Sequence, residues 1–437
     1  MSNILFIQKD WTIEPLGIGY LSSVLKQQGH RTFIAKSGKE NPLDIVDREV
    51  IDIIAFSVTT GTHQYYQDMN RYLKRNRPNL RSFFGGPHAS FFSEELKKDK
   101  YIDVVVRGEA EKMFPNMWKE NDFFPSCQTP DLPEKLDDIP FPDRELLYRY
   151  EENRSNPIRS VMTSRGCPYS CPYCYNSKYK EMYKGINTVR YRSADNVVQE
   201  CREIKKDYPN TQMIYFIDDE FIINRKRLGE LLEEYFYRVG YLPFHCQIRI
   251  EHLTDEIASA LKHAGCSGVT FAIETGNEQL RKTLLKRTMT NEQILEGARI
   301  LHRNGLKFRT ENMVGLPTET WENTMETVRL NIACKPTIAW ASIFQPYPGL
   351  PLGQMCKDMG IWNGRVDSMS ASFFDRTIMD IPNARRINNI QKLFSFVVDN
   401  PYLVTVADKL ADMPENDIYR TMYSWDKTRK YKELYGV

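Results

Sequence analysis

Three cysteines crowd into Thr163-Ser-Arg-Gly-Cys167-Pro-Tyr-Ser-Cys171-Pro-Tyr173-Cys174-Tyr, with the spacing C-x3-C-x2-C. Thiolates are soft ligands suited to iron and zinc. Three on one loop can each hold a different iron of a cubane cluster, leaving the fourth iron open to another molecule. The bland alternatives are a zinc site or three ordinary buried cysteines. A structural zinc site ordinarily takes four protein ligands, and no evident fourth Cys or His stands nearby. Nine cysteines is an odd count, which argues against a disulfide framework and for a reducing compartment.

Further along, polar residues end apolar runs at regular intervals: Asp218-Asp219 after Tyr215-Phe-Ile, Arg249 after Gln247-Ile, Glu274-Thr-Gly276 after Phe271-Ala-Ile, and Gly315-Leu-Pro317-Thr-Glu319 after Val314. Each alone has an ordinary explanation, such as a strand-end turn or a surface ion pair. A second series lies in the first quarter of the chain. It comprises Pro15-Leu16-Gly17-Ile-Gly-Tyr20, Phe56-Ser57-Val-Thr59-Thr60, Gly85-Gly86-Pro87-His88 and Arg107-Gly108-Glu109-Ala-Glu111.

These residues need elements to position them, and the patterning supplies two alternating sets. Strands are predicted at Ile4–Gln8, Thr32–Ala35, Ile51–Val58, Arg81–Phe84 and Val104–Val106, with helices over Pro15–Gln28 and Tyr65–Arg75 and a tight turn at Gly85–His88. This is a doubly wound α/β pattern, whose ligands bind at the carboxyl ends of the strands. Phe123 to Asn156, rich in Pro, Asp and Glu, reads as an extended, mostly irregular connector. Alternation resumes with strands at Ser160–Thr163, Met213–Ile217, Phe244–Arg249, Gly268–Ile273, Lys307–Val314 and Ala339–Gln345, and with helices such as Ala194–Lys206, Lys226–Tyr237 and Asp255–Ala264. That is most of a β/α barrel, whose reactive groups gather at the strand C-termini. Ala384–Val397 and Ala407–Asp412 read as helices, and the tail Tyr423–Tyr435 is aromatic and basic.

A chain of 437 residues exceeds one ordinary core and predicts two or three domains. Lys+Arg (59) and Asp+Glu (57) nearly cancel, which gives no support to polyelectrolyte binding of nucleic acid. No uncharged run is long enough to span a bilayer, and Met1–Lys9 reads as a first strand rather than a signal peptide. A cytoplasmic location is expected.

Residues 160–352 resemble the core of the radical S-adenosylmethionine (SAM) superfamily, and residues 1–352 resemble its subgroup with an N-terminal cobalamin (B12)-binding domain. The resemblance implies four regions: a Rossmann-like B12-binding domain (1–125), a linker (126–157), a partial (β/α)6 TIM-barrel radical SAM core (158–354) and a mostly helical substrate-capping segment (355–437) over the barrel mouth. It implies a [4Fe–4S] cluster on Cys167, Cys171 and Cys174, and SAM held by Tyr173, Asp218, Asp219, Arg249 and Glu274. It further implies cobalamin on Leu16, Gly17, Ser57, Thr59, Thr60, Gly85, Gly86, Pro87, His88 and Glu109. One family feature is missing. B12 domains with a lower His ligand carry D-x-H-x-x-G after the first strand, whereas here the stretch is Gln8-Lys-Asp10-Trp-Thr-Ile-Glu14. A weak lower ligand favours delivery of a methyl radical.

The implied activity is methylation of an unactivated carbon, with a 5′-deoxyadenosyl radical abstracting hydrogen and methylcobalamin giving the methyl group. The alternatives are a cobalamin-dependent radical SAM enzyme that cyclises or rearranges, and a SAM or cobalamin sensor without turnover. An electron donor such as flavodoxin or ferredoxin is implied. The substrate class stays open among small molecules, lipids and peptide or protein side chains.

Overall fold

The computed structural model describes every residue except Thr12, 115–125 and Val437. It divides into two compact units, Met1–Asn156 and Pro157–Val437. The domain boundary expected at residue 125 lies outside the described residues.

The first unit runs β1 (Asn3–Gln8), α1 (Leu16–Gln27), β2 (Arg31–Lys36), α2 (Pro42–Arg48), β3 (Ile53–Ser57), α3 (His63–Asn76), β4 (Arg81–Gly85), α4 (Gly86–Phe91), α5 (Ser93–Leu96), β5 (Val104–Val106), β6 (Ser126–Gln128), α6 (Arg144–Leu147) and α7 (Glu151–Arg154). Its six strands pair in parallel in the order β2-β1-β3-β4-β5-β6. The order reverses between β1 and β3, the switch point at which an open sheet forms its ligand crevice. Apolar strands such as Ile4–Ile7 and Ile53–Phe56 are buried throughout, as a sheet covered on both faces requires.

Two local readings change. Gly86-Pro87-His88 is the first turn of α4 rather than a free turn, since Pro suits the first helical positions. The Pro-rich stretch after residue 129 is not irregular spacer. Leu147 and Tyr148 are fully buried, Ser22 Oγ donates to Asp143 at 2.5 Å, Ser23 Oγ donates to the Phe141 carbonyl at 2.6 Å, and the Lys36 N–H donates to the Tyr150 hydroxyl at 2.7 Å. Its prolines set turns, while its Leu and Tyr residues cover α1 and β2. Composition registers the first and not the second.

The second unit runs β7 (Ile158–Val161), β8 (Ser164–Arg165), α8 (Tyr175–Met182), β9 (Arg190–Tyr191), α9 (Ala194–Asp207), β10 (Met213–Phe216), α10 (Arg225–Glu234), β11 (Phe244–Ile248), α11 (Asp255–His263), β12 (Cys266–Glu274), α12 (Glu278–Thr283), α13 (Asn291–Arg303), β13 (Lys307–Val314), α14 (Trp321–Cys334), β14 (Ile338–Ile343), α15 (Pro351–Asp358), α16 (Ala384–Asp399), α17 (Ala407–Asp412) and α18 (Asp417–Tyr435). Six strands form one parallel sheet in the order β14-β13-β12-β11-β10-β7, the expected partial barrel. Helices α9 to α14 begin on side-chain caps: Ser193, Asn224, Thr254, Asn277, Thr290 and Thr320 each accept a backbone N–H of the first turn. Alternate strand residues (Ile214, Phe216, Phe244, Cys246, Val269, Phe271, Phe308) pack outward against α9–α13 in one core.

The C-terminal segment is placed differently from the expectation that it covers the mouth. Leu434 and Tyr435 at the end of α18 cluster with Met213 and Ile338, the first residues of β10 and β14. Lys307, the first residue of β13, donates to the Glu433 carbonyl. The last helix therefore closes the barrel at the strand N-termini, where a six-stranded partial barrel leaves its lowest apolar layer uncovered. The stretch before α16 reaches a strand C-terminus, through the Ile343 N–H on the Phe373 carbonyl at 2.8 Å, and Ile387 of α16 packs with Val314 and Ile343 at the ends of β13 and β14.

Candidate functional site

Cys167, Cys171 and Cys174 lie on the loop between β8 and α8, all half-buried. Gly166 makes the entry possible. Its φ is +82°, and a Cβ there would stand 2.3 Å from the Thr188 carbonyl oxygen, so no other residue fits. Cys174 is the N-cap of α8, and its N–H donates to the Cys171 carbonyl at 3.0 Å. A thiolate at a helix N-terminus gains from the exposed N–H groups. In the free chain, burial pushes the Cys167 and Cys174 thiols up, Cys174 to about 11, and the nearby Asp219 carboxylate adds to both shifts. Such thiols are protonated until a metal displaces the protons. The donor set fits an iron–sulfur cluster: three thiols spaced along one loop, half-exposed, each free to take a different iron.

The carboxyl ends of the barrel strands surround this loop. Asp218 is 1% exposed and fully engaged. It accepts the Thr163 N–H at 3.1 Å, the Thr163 hydroxyl at 3.0 Å and the Ser164 hydroxyl. It ties the segment after β10 to the start of the cysteine loop, chiefly through Oδ1. Asp219 is the exposed member of the pair, reaching the Asn176 side chain on α8 beside Cys167 and Cys174. Glu220, which the sequence reading passed over, is 4% exposed. Its Oε1 accepts the Arg249 N–H at 3.2 Å, and its Oε2 has no partner among the described residues. Burial raises its carboxyl to about 7.

Arg249 is half committed already. Its Nε donates to Glu251 at 2.7 Å and its guanidinium lies 3.6 Å above the Tyr169 ring, inside the cysteine loop. One edge of its fork, Nε and Nη2, is therefore taken by Glu251, and its stacking supports the loop. Glu274 ends β12 with φ +67°, where the pairing to β13 slips register. A non-glycine residue in that region is strained, and such strain gathers at functional sites. The Tyr173 hydroxyl donates to Glu274 Oε1 at 2.9 Å, and Arg287 Nη1 donates to the same oxygen at 3.1 Å. Arg287 had no signal in the sequence, because it lies on an ordinary loop after α12. After the barrel, Pro346–Leu352 rests on the cysteine loop. The Leu352 N–H meets the Pro172 carbonyl at 3.3 Å, and Tyr347 packs edge-on to Tyr175. Gly315 and Leu316 both donate to Glu319, which closes the turn after β13.

In the first unit the second series also gathers at strand carboxyl ends. Ser57 ends β3, Gly85 ends β4, Leu16 and Gly17 open α1, and Glu109 follows β5. Gly17 and Thr59 are exposed, and Thr60, Gly85 and Gly86 are half-exposed. Gly86 has φ +87°, and a Cβ there would lie 2.7 Å from Val58 N. Ser90 Oγ donates to the Gly86 carbonyl at 2.9 Å and accepts the Gly108 N–H at 2.9 Å, joining the loops after β4 and β5. These small residues and hydroxyls leave backbone accessible, the character that a flat macrocycle and its tail need. His88 is different. It is 1% exposed, stacked on His63 at 4.2 Å and within 3.2 Å of the Thr60 hydroxyl. Its ring is an interior packing element that holds Thr60, and Pro87 is the exposed neighbour.

Residues 161–330 match the Radical SAM superfamily and residues 7–117 match the B12 binding domain. The chain is 26% identical over 77% of its length to an uncharacterised methyltransferase, PH0819, of Pyrococcus horikoshii, covering 77% of that protein. It is 26% identical over 79% of its length to an anaerobic magnesium-protoporphyrin IX monomethyl ester cyclase of Cereibacter sphaeroides, covering 60% of that protein. Its fold matches that of OxsB, a cobalamin-dependent S-adenosylmethionine radical enzyme solved with aqua-cobalamin and S-adenosylmethionine bound. That match has a TM-score of 0.70 and 15% identity, and covers 100% of this chain and 72% of OxsB. With its cysteine loop at the mouth of a parallel barrel and its small-residue loops on a switch-point sheet, this enzyme belongs to the radical SAM superfamily, in the branch that carries a B12-binding domain.

Proposed function

We propose that this chain is a cobalamin-dependent radical SAM C-methyltransferase that acts on an unactivated carbon. The observation that carries the reading is the convergence at one end of a single parallel sheet: three thiols on a glycine-gated loop, the exposed Asp219, and the strained Glu274 bonded to that loop's Tyr173. Cys167, Cys171 and Cys174 would hold a [4Fe–4S] cluster, and the first unit would hold cobalamin against Gly17, Thr59, Thr60, Gly85 and Gly86. When bound, these groups supply a 5′-deoxyadenosyl radical from SAM and a methyl group from methylcobalamin.

The chain's own residues do the positioning. Asp218 anchors the loop through Thr163 and Ser164. Asp219 offers a carboxylate to an ammonium group such as that of SAM. Glu274 turns one carboxylate oxygen to Tyr173 and Arg287, leaving Oε2 for a ribose hydroxyl or an ammonium. A flavodoxin or ferredoxin would deliver the electron. The likeness to a protein named a methyltransferase supports methylation, and the likeness to a cyclase keeps rearrangement as the second reading.

The test is anaerobic reconstitution with iron, sulfide and cobalamin, then reduction in the presence of SAM carrying a labelled methyl group. The expected result is 5′-deoxyadenosine together with label in the product. A product of unchanged carbon count replaces methylation with rearrangement, and an absence of 5′-deoxyadenosine removes the radical reading.

A further inference from the structure

Arg287 lies between two groups that the sequence separates by about a hundred positions. It is 6% exposed. Its Nη1 donates to Glu274 Oε1 at 3.1 Å and its Nη2 to the Ala272 carbonyl at 3.0 Å. It also reaches the Tyr173 side chain. Tyr173, between Cys171 and Cys174, donates to that same Oε1 at 2.9 Å. Two donors therefore meet on one carboxylate oxygen, one from the cysteine loop and one from the loop after α12. Glu274 itself sits at φ +67°, beside the register slip of β12 on β13. A strained backbone of this kind persists only where surrounding contacts over-determine it. The planar guanidinium supplies them, holding the Ala272 carbonyl and the Glu274 carboxylate from two nitrogens fixed in one plane, a spacing that the single nitrogen of a lysine does not reproduce.

We infer that Arg287 is a positioning residue that locks Glu274 and the cysteine loop into one rigid unit through Tyr173, so that the acid at the end of β12 and the three thiols keep a fixed mutual geometry. The inference rests on the function proposed above and extends it to a residue outside the motifs.

The test uses Arg287→Lys, which keeps charge and bulk, Tyr173→Phe, which removes only the loop's bond, and Arg287→Met in wild-type and Glu274→Gln backgrounds. The first readout is the rate of maleimide labelling of Cys167, Cys171 and Cys174 in the metal-free full chain. Arg287→Lys and Tyr173→Phe should each speed labelling at least threefold, with the melting temperature within a few degrees of wild type. The second is SAM dependence of 5′-deoxyadenosine formation by the reconstituted protein. Arg287→Lys should raise KM for SAM about tenfold with iron per chain unchanged. Arg287→Met should add no more than about twofold once Glu274 is Gln, the non-additivity expected of residues acting through one another. Wild-type labelling rates and KM in Arg287→Lys, or full additivity with Glu274→Gln, would overturn the inference. If wild-type protein forms no 5′-deoxyadenosine, the proposed function fails while the labelling rates still decide the role of Arg287.

Discussion

The cysteine-loop surroundings of the second unit and the loops after β3 and β4 of the first are built in different ways. In the second unit, charge is held by charge: Arg249 by Glu251, Glu274 by Arg287, with Asp218 buried on three donors and Asp219 left exposed beside the thiols. In the first unit, the loops after β3 and β4 present backbone and small residues, Thr59, Thr60, Gly85 and Gly86, and the Ser90 hydroxyl ties Gly86 to Gly108. A zwitterionic ligand and a metal cluster need fixed charges, because a misplaced charge in a desolvated site is costly. A broad macrocycle needs close approach, because contact area supplies its binding. On the proposed function, one chain would use electrostatic recognition at one surface and steric recognition at the other, and substitutions should separate the two.

The largest expected effect comes from Cys171→Ala. It should abolish cluster assembly and 5′-deoxyadenosine formation, read as iron per chain and product, while cobalamin retention by spectroscopy stays near wild type. Loss of both would break the contrast, since it would mean the two surfaces do not work independently.

Next is Gly86→Ala. A Cβ would meet Val58 N at 2.7 Å, and the φ of +87° disfavours any L side chain. Cobalamin affinity should fall at least tenfold, and stability should drop by about 1–3 kcal/mol, while iron loading is retained.

The third contrasts the two adjacent aspartates. Asp218→Ala leaves the buried Thr163 N–H without its acceptor, which should destabilise the chain by about 1–3 kcal/mol and lower iron loading. Asp219→Ala should leave the melting temperature unchanged and raise KM for SAM. Equal melting temperatures for the two variants would remove the division of labour assigned to them.

The smallest effect is a pH slope. Burial raises the Glu319 carboxyl from its ordinary 4.5 to about 7. A carboxyl raised in the folded state binds more protons than in the unfolded state. Its contribution to stability is therefore fully present below about pH 4.5, declines as pH rises through the interval to about 7 and is flat above. Chemical denaturation across that range should show a component of falling stability with rising pH that is missing in Glu319→Gln. An unchanged slope in the variant would assign it to other groups.

Much of this was legible in the chain. Barrel strands such as Lys307–Val314 and first-unit strands such as Arg81–Gly85 lie within a residue or two of where their apolar runs predict them. Other readings depended on contacts the sequence does not carry. Asp218 and Asp219 look alike in sequence, yet one is an anchor and the other an exposed acid, because only the folded path after β10 decides which of them meets Thr163. His88 looks like a surface ligand until His63 stacks on it. The aromatic tail reads as a cover for the mouth, but Leu434 and Tyr435 fill the opposite end of the barrel.

By itself the sequence determined the chemistry available: thiols at C-x3-C-x2-C, acids at successive strand ends and small residues after the first unit's strands. Residue type and local spacing are properties of the chain, and so are the periodicities that make strands and helices. Tertiary structure alone decided which groups remain unsatisfied and which are consumed. Arg287 finds Glu274 and Tyr173 only after β12 and the cysteine loop are brought to one end of the sheet, and Asp218 becomes an anchor of that loop only once Thr163 and Ser164 close on it. Hydrogen bonding between side chains distant in sequence depends on ångström-scale placement, and no pattern along the chain encodes it.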